Sequence, residues 1–219
     1  MSPSESDSSM TTFAVLSHRD VAAELGHIGT WLESRDARVT RIFREDTLEL
    51  PDSDALIVLG SPTSVAEGHC QAPARREIEL VASWIADDRP YLGVCFGAQA
   101  LACAAGGSVR RMDETFRAYT EVTTEQSSLG GRWAVWHEDA ISAPGGVVAA
   151  LPHADAAFRI GRAWGVQPHI EFTSDIVERL ARVFGVDDSA WRGMWESLRD
   201  DEAGHEQRTQ RLLDEIFAI

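Results

Sequence analysis

At 219 residues, with 44% hydrophobic and 25% charged side chains, the chain has the size and composition of one globular domain able to bury a core. A formal net charge of −15 creates a field that repels phosphate backbones and anionic bilayers, so neither nucleic acid nor a membrane is an expected partner. All twenty basic residues are arginine: the lack of lysine excludes P-loop nucleotide chemistry, Schiff-base catalysis and pyridoxal phosphate attachment, and the lack of asparagine excludes a papain-like Cys-His-Asn triad.

Met1 to Met10, rich in Ser, Asp and Glu and without an apolar stretch, reads as a disordered leader, not a signal peptide, and residues 11–219 read as a single domain. Phe13-Ala14-Val15-Leu16 predicts a first strand, and Ala22 to Leu32 a helix over it with Leu25, Ile28, Trp31 and Leu32 on one stripe. Val39 to Phe43 and Ala55 to Leu59 predict further strands, Ala74 to Ala86 a helix with Ile78, Val81, Trp84 and Ile85 inward, and Pro90 to Val94 another strand. Between Val109 and Val135 the pattern changes to alternation and turns, as antiparallel strands at a sheet edge would give. Beyond Ser174 two helical stretches are expected, the last from about Ala190 to Ile219, with Trp191, Met194 and Trp195 forming a stripe that suits a core or, alternatively, a docking face for another protein. Continuous apolar strands between helices imply an α/β fold: a mainly parallel central sheet, helices on both faces, a small antiparallel edge addition, and a site at the strand C-termini. No internal repeat, interdomain linker or membrane-length apolar run interrupts it.

Three cysteines without paired spacing argue against a disulfide scaffold and for a reducing, cytoplasmic setting. His69 and Cys70 are adjacent, and neighbouring residues rarely chelate one ion, so no metal and no other cofactor is expected. Cys103 suits a small buried hydrophobe. Cys95 differs, because Leu92-Gly93-Val94-Cys95-Phe96-Gly97-Ala98-Gln99 places it where an apolar strand meets a small-residue helix. A sharp strand-to-helix turn tolerates only small neighbours two positions away, and Gly93 and Gly97 supply them. The turn sets Cys95 at a helix N-terminus, where backbone N–H groups and the helix dipole favour thiolate over thiol.

A thiolate nucleophile needs a base and a group to orient it. Among seven histidines, His169 alone ends a strand-like apolar run with a carboxylate two residues on. In extended backbone positions i and i+2 share a face, so Glu171 can hold one ring nitrogen of His169 while the other faces Cys95.

Together these blocks resemble class I, or triad-type, glutamine amidotransferases of the stand-alone, GMP-synthase-glutaminase-like kind. The family's Gly-x-Cys-x-Gly-x-Gln is Gly93-Val94-Cys95-Phe96-Gly97-Ala98-Gln99; its Gln-Phe-His-Pro-Glu is similar to Gln167-Pro168-His169-Ile170-Glu171; its Gly-Gly-Pro loop is similar to Gly60-Ser61-Pro62. Trp136-His137-Glu138-Asp139, followed by Leu151-Pro152, resembles the segment ahead of the His strand. The blocks run in order from about Phe13 to Phe184. Two departures stand out: proline precedes His169 instead of following it, and Ser61 replaces the second glycine of the loop, which restricts a peptide flip there.

The resemblance implies a flavodoxin-like fold and glutamine as substrate. It makes Cys95, His169 and Glu171 a catalytic triad, assigns the backbone N–H groups of Ser61 and Phe96 to an oxyanion hole, and gives Gln99 and Gly60 to substrate binding. His137 and Asp139 are candidates for the pocket edge and are read by default as packing or loop residues. The implied reaction is hydrolysis of the glutamine amide through a Cys thioester, the ammonia passing to a separate synthetase or other acceptor. Two alternatives remain at this point: a γ-glutamyl peptidase or hydrolase using the same triad, and a non-catalytic regulatory subunit keeping the fold.

Overall fold

A computed structural model describes residues 11–19, 24–46, 48–66 and 71–218, so the expected leader and the His69-Cys70 pair lie outside the described residues. The first half alternates strand and helix: β1 (Thr12–Ser17), α1 (Gly26–Ser34), β2 (Arg38–Phe43), β3 (Ala55–Val58), α2 (Gln71–Ala86), β4 (Tyr91–Val94) and α3 (Phe96–Ala104). Strands then dominate, as β5 (Ser108–Glu121), β6 (Thr123–Thr124), β7 (Arg132–Ser142), β8 (Val147–Leu151), β9 (Ala154–Ile160) and β10 (Ala163–Val166), before α4 (Ser174–Val183), α5 (Asp188–Asp200) and α6 (Glu202–Phe217) close the chain.

The main sheet has the order β2-β1-β3-β4-β10-β9-β8-β6. Its first five strands are parallel, and β9, β8 and β6 extend it antiparallel. This is the expected parallel sheet with an antiparallel edge, but the antiparallel portion is larger than the pattern suggested: β5 and β7 pair with each other as a separate two-stranded ribbon.

Period-two alternation explains why the central strands are apolar throughout. Phe13 and Val15 of β1 face one core with Ile57 of β3 and Leu92 and Val94 of β4, and α1 and α6 cover it through Ile28, Trp31, Leu32, Leu212, Leu213 and Phe217. Ala14 and Leu16, with Leu56 and Val58, face a second core covered by α2 and α3 through Val81, Trp84, Ala98 and Leu101. Leu25 packs against the first core and Ile78 and Ile85 against the second, so both predicted helical stripes point inward. The helix expected from Ala22 begins at Gly26, residues 22 and 23 lying outside the described residues.

The C-terminal helix departs from the sequence reading. Its buried positions 191, 194, 198, 205, 209, 212 and 216 keep one helical phase, which reads as a single long helix, yet the backbone breaks at Asp201, with φ −124° and ψ 23°. The Asp201 carboxylate accepts hydrogen bonds from the Tyr119 hydroxyl and the Arg208 guanidinium, both at 2.8 Å, which fixes the corner. Trp191 and Met194 then pack with α4 and the ribbon, as core residues, while α6 turns onto α1.

That corner buries two histidines, His27 and His205, with ring centroids 5.5 Å apart. Burial, His27 and Arg208 push His205 down from 6.5 to about 3. Burial lowers His27 as well, against the raising influence of Glu206, Glu202 and Glu171. Because the unfolded chain binds the His205 proton first, stability is lost as pH falls from 6.5 toward about 3, at up to about 1.4 kcal/mol per pH unit for this group. Urea midpoints between about pH 4 and pH 7 will therefore show a shallower acid slope in His205→Leu than in the parent chain. An unchanged slope would contradict this assignment.

Candidate active site

Parallel strands end together, so the loops leaving β1, β2, β3, β4 and β10 gather at one edge of the sheet. Cys95 follows β4 and is the N-cap of α3, at φ 50° and ψ −103°, a conformation that L residues rarely adopt. The packing around it leaves no alternative: a Cβ on Gly93 would lie 2.4 Å from the Gly97 backbone, and one on Gly97 would lie 2.2 Å from the Val58 carbonyl oxygen. The Cys95 N–H donates to the Val166 carbonyl at 2.8 Å, tying the elbow to β10.

His169 and Glu171 stand beyond the end of β10, His169 after a bend at Gln167-Pro168 and Glu171 in a turn, not within a strand as the sequence suggested. The pairing survives, with Nδ1 2.7 Å from a Glu171 carboxylate oxygen and both residues buried. The other ring nitrogen lies 3.1 Å from the Trp136 carbonyl oxygen, toward which the Cys95 thiol also points at 3.8 Å. A ring with a carboxylate on one side and a carbonyl on the other satisfies both only as imidazolium. Burial pulls the His169 pKa down, but Glu171 and the hydrogen-bonded Cys95 outweigh it and hold the group well above its ordinary value. Phe172 stacks on the imidazole at 4.0 Å and fixes its plane.

Gly60, after β3, lies against both partners: a Cβ there would be 3.0 Å from His169 Cε1 and 3.7 Å from Cys95 Cβ. Ser61 follows it, Phe96 follows Cys95, and Gln99 is buried one turn along α3, its amide nitrogen 3.5 Å from the Asp139 carbonyl. A cavity of about 350 Å³ is lined by Gly60, Ser61, Cys95, Gln99, His169 and Glu171, so six of the seven positions singled out from sequence meet there. Phe96 is buried behind its wall. Cys103 is half-buried on α3, and burial raises its pKa. Among the described residues no group of three or more His, Cys, Asp or Glu is placed to hold a metal.

His137 and Asp139 are part of the cavity lining, the alternative to their default reading as packing or loop residues. Asp139 accepts from the Ser64 hydroxyl at 2.6 Å and the Val65 amide at 3.0 Å, pinning the loop that carries Ser61. His137 directs Nδ1 to the Asp139 carbonyl at 2.7 Å, and burial, with His153 and His169 nearby, lowers its pKa to about 4. Sequence reasoning also passed over Arg44, Glu77, His18 and Glu45, which surround the Gly60-Ser61 peptide. The one available signal was topological, since Arg44 directly follows a predicted strand and His18 lies two residues beyond another.

A buried thiol on a strained elbow beside a carboxylate-held imidazole suits attack on an acyl carbon. Residues 21–176 match the family model "Glutamine amidotransferase class-I", and the chain belongs to the class I glutamine amidotransferase family. Among curated proteins it is similar to the glutamine-hydrolyzing GMP synthase of Thermus thermophilus, 36% identical over 149 residues that make up 60% of this chain and 28% of that protein. It is also similar to the glutamine-hydrolyzing GMP synthase of Porphyromonas gingivalis, 31% identical over 175 residues, 73% of this chain and 33% of that one. The chain thus spans about a third or less of these relatives. The fold matches a glutamine amidotransferase from Thermotoga maritima, with TM-score 0.80 at 20% identity, covering 94% of this chain and 97% of that one. It also matches a glutamine amido transferase from Methylobacillus flagellatus, with TM-score 0.74 at 20% identity, covering 93% and 92%.

Removing the Glu171 charge takes away the leading influence that raises His169. In Glu171→Gln the His169 ring, followed by nitrogen chemical shifts, will lose its proton at a pH at least about one unit lower than in the parent chain. Coincident titrations would show that Glu171 does not hold the imidazolium.

Proposed function

We propose that this chain hydrolyses the side-chain amide of glutamine, and that Cys95, His169 and Glu171 are its catalytic triad. The observation that carries the reading is the convergence, at adjacent strand ends, of a thiol held at φ 50° with an imidazole whose far side is held by a carboxylate at 2.7 Å. Cys95 Sγ forms a bond to the amide carbon, the C–N bond breaks, and His169 gives its proton to the leaving ammonia. Water then attacks the thioester carbon, His169 takes a proton from it, and the C–S bond breaks to release glutamate and restore Cys95. The N–H groups of Ser61 and Phe96 receive the oxyanion in both steps, and Gln99 and Gly60 bind the body of the substrate.

The ammonia passes to an acceptor outside this chain. Relatives named GMP synthase support a synthetase in that role, because the stretch matched here makes up only 28% and 33% of their length. A cytoplasmic setting fits this metabolism, and among the described residues no helix is long and apolar enough to cross a membrane. One observation favours a second reading, a γ-glutamyl hydrolase: beyond His169 the cavity wall turns apolar, with Phe172, Ile176, Leu180 and Phe184, a surface that free ammonia does not use.

Glutamate release from glutamine by the purified chain will fall at least about 1,000-fold in Cys95→Ala, with the fold intact by circular dichroism. Release from γ-glutamyl peptides with apolar amines, but not from glutamine, would establish the second reading instead. Unchanged release in Cys95→Ala would remove Cys95 from the mechanism.

A further inference from the structure

An oxyanion hole depends on which way one peptide faces, and here that peptide is held by side chains far away in sequence. Arg44, immediately after β2, is almost completely buried and meets Glu77 of α2 in a two-point ion pair, Nε to one carboxylate oxygen at 2.9 Å and Nη2 to the other at 2.8 Å. Two more of its donors go to the main chain: Nη2 to the Leu59 carbonyl at 2.8 Å and Nη1 to the Gly60 carbonyl at 3.0 Å. The guanidinium also lies 4.8 Å from the centre of the Phe96 ring, so one cation touches both residues that flank the hole.

In a trans peptide the C=O and the following N–H point in opposite directions. With the Gly60 carbonyl turned to Arg44, the Ser61 N–H points away from Arg44, and Ser61 itself lines the cavity. Flipping that peptide would take the Gly60 carbonyl away from a buried guanidinium that now donates to it, and burial makes such a loss costly. Two further restraints act on the same loop. The Ser61 hydroxyl bonds to His18 Nε2 at 2.8 Å, and His18 Nδ1 bonds to Glu45 at 2.8 Å. Downstream, Asp139 holds Ser64 and Val65.

We propose that Arg44, clamped by Glu77, is a positioning residue that keeps the Gly60-Ser61 peptide in the orientation an oxyanion needs, so that the site is formed without a partner protein. The inference rests on the glutaminase reading above and adds that hydrolysis needs no activation. Arg44→Lys retains the charge opposite Glu77, but one ammonium cannot serve both carbonyls and the carboxylate in the same geometry.

The experiment uses the full chain alone, with glutamine as substrate, a diazoketone analogue of glutamine as label for Cys95, and iodoacetamide as a size-insensitive probe of the thiol. The expected result is glutamine turnover by the chain alone. In Arg44→Lys, kcat should fall by about 10–100-fold with KM within about threefold and the iodoacetamide rate unchanged. Glu77→Gln, which keeps the carbonyl contacts but weakens the clamp, should lose less; it also serves as the test should Arg44→Lys fail to fold, a kcat equal to the parent's then counting against the proposal. An Arg44→Lys enzyme with unchanged kcat, or one whose KM and alkylation rate collapse together, overturns the proposal. A parent chain that is labelled by the analogue but does not turn over glutamine overturns it while leaving the substrate assignment standing. A parent chain that is neither labelled nor active overturns the glutaminase reading and this inference with it.

Discussion

The Cys95 backbone, at φ 50° and ψ −103°, is the constraint to which the rest of the site is fitted. Such a conformation costs about 1–3 kcal/mol and persists only where its surroundings over-determine it. Here α3 is pressed so closely onto β3 and β4 that Gly97 can carry no side chain against the Val58 carbonyl. The Tyr91 hydroxyl donates to the Gly97 carbonyl at 2.8 Å, the Cys95 N–H is taken by Val166, and the Gln99 N–H returns to the Cys95 carbonyl. With the elbow fixed by both neighbouring strands, the thiol stands at the sheet edge where the loops after β3 and β10 bring Gly60 and His169 against it.

The electrostatic design follows from burial. His169 and Glu171 are both withdrawn from water, where an unpaired charge is expensive, so each depends on the other. The same logic applies to Arg44 and Glu77. A buried ion pair adds little net stability compared with apolar side chains of the same shape, because desolvation offsets the attraction. What an apolar pair would not supply is direction: two carbonyls at a turn that apolar contacts alone would leave free to rotate.

The residues legible in the sequence are those whose roles are local. The elbow is a property of eight consecutive residues, and the His169-Glu171 relation spans two positions, so Cys95, His169, Glu171 and Gln99 are recognisable from the order of residues alone. The pairing holds even though the extended geometry expected for it does not, since a turn after β10 brings the two side chains together as well as a strand would. The parallel sheet is equally legible, from apolar runs separated by amphipathic stretches. Arg44, Glu77, His18, Glu45 and the anchoring role of Asp139 are not, because their contacts join positions between 15 and 75 residues apart and depend on which strand ends are neighbours. The break at Asp201 is hidden for a different reason: the stripe of buried positions runs through it in phase, no proline interrupts it, and the tertiary partners Tyr119 and Arg208 hold the corner.

The central claim is that Cys95 carries the γ-glutamyl group between the two halves of the reaction. Acid-quenching the chain during turnover of isotopically labelled glutamine, followed by peptide mass spectrometry, tests this most directly. The account predicts a labelled γ-glutamyl thioester on the peptide containing Cys95. Continued release of labelled glutamate with no adduct there, or with the label on Cys103, would contradict it.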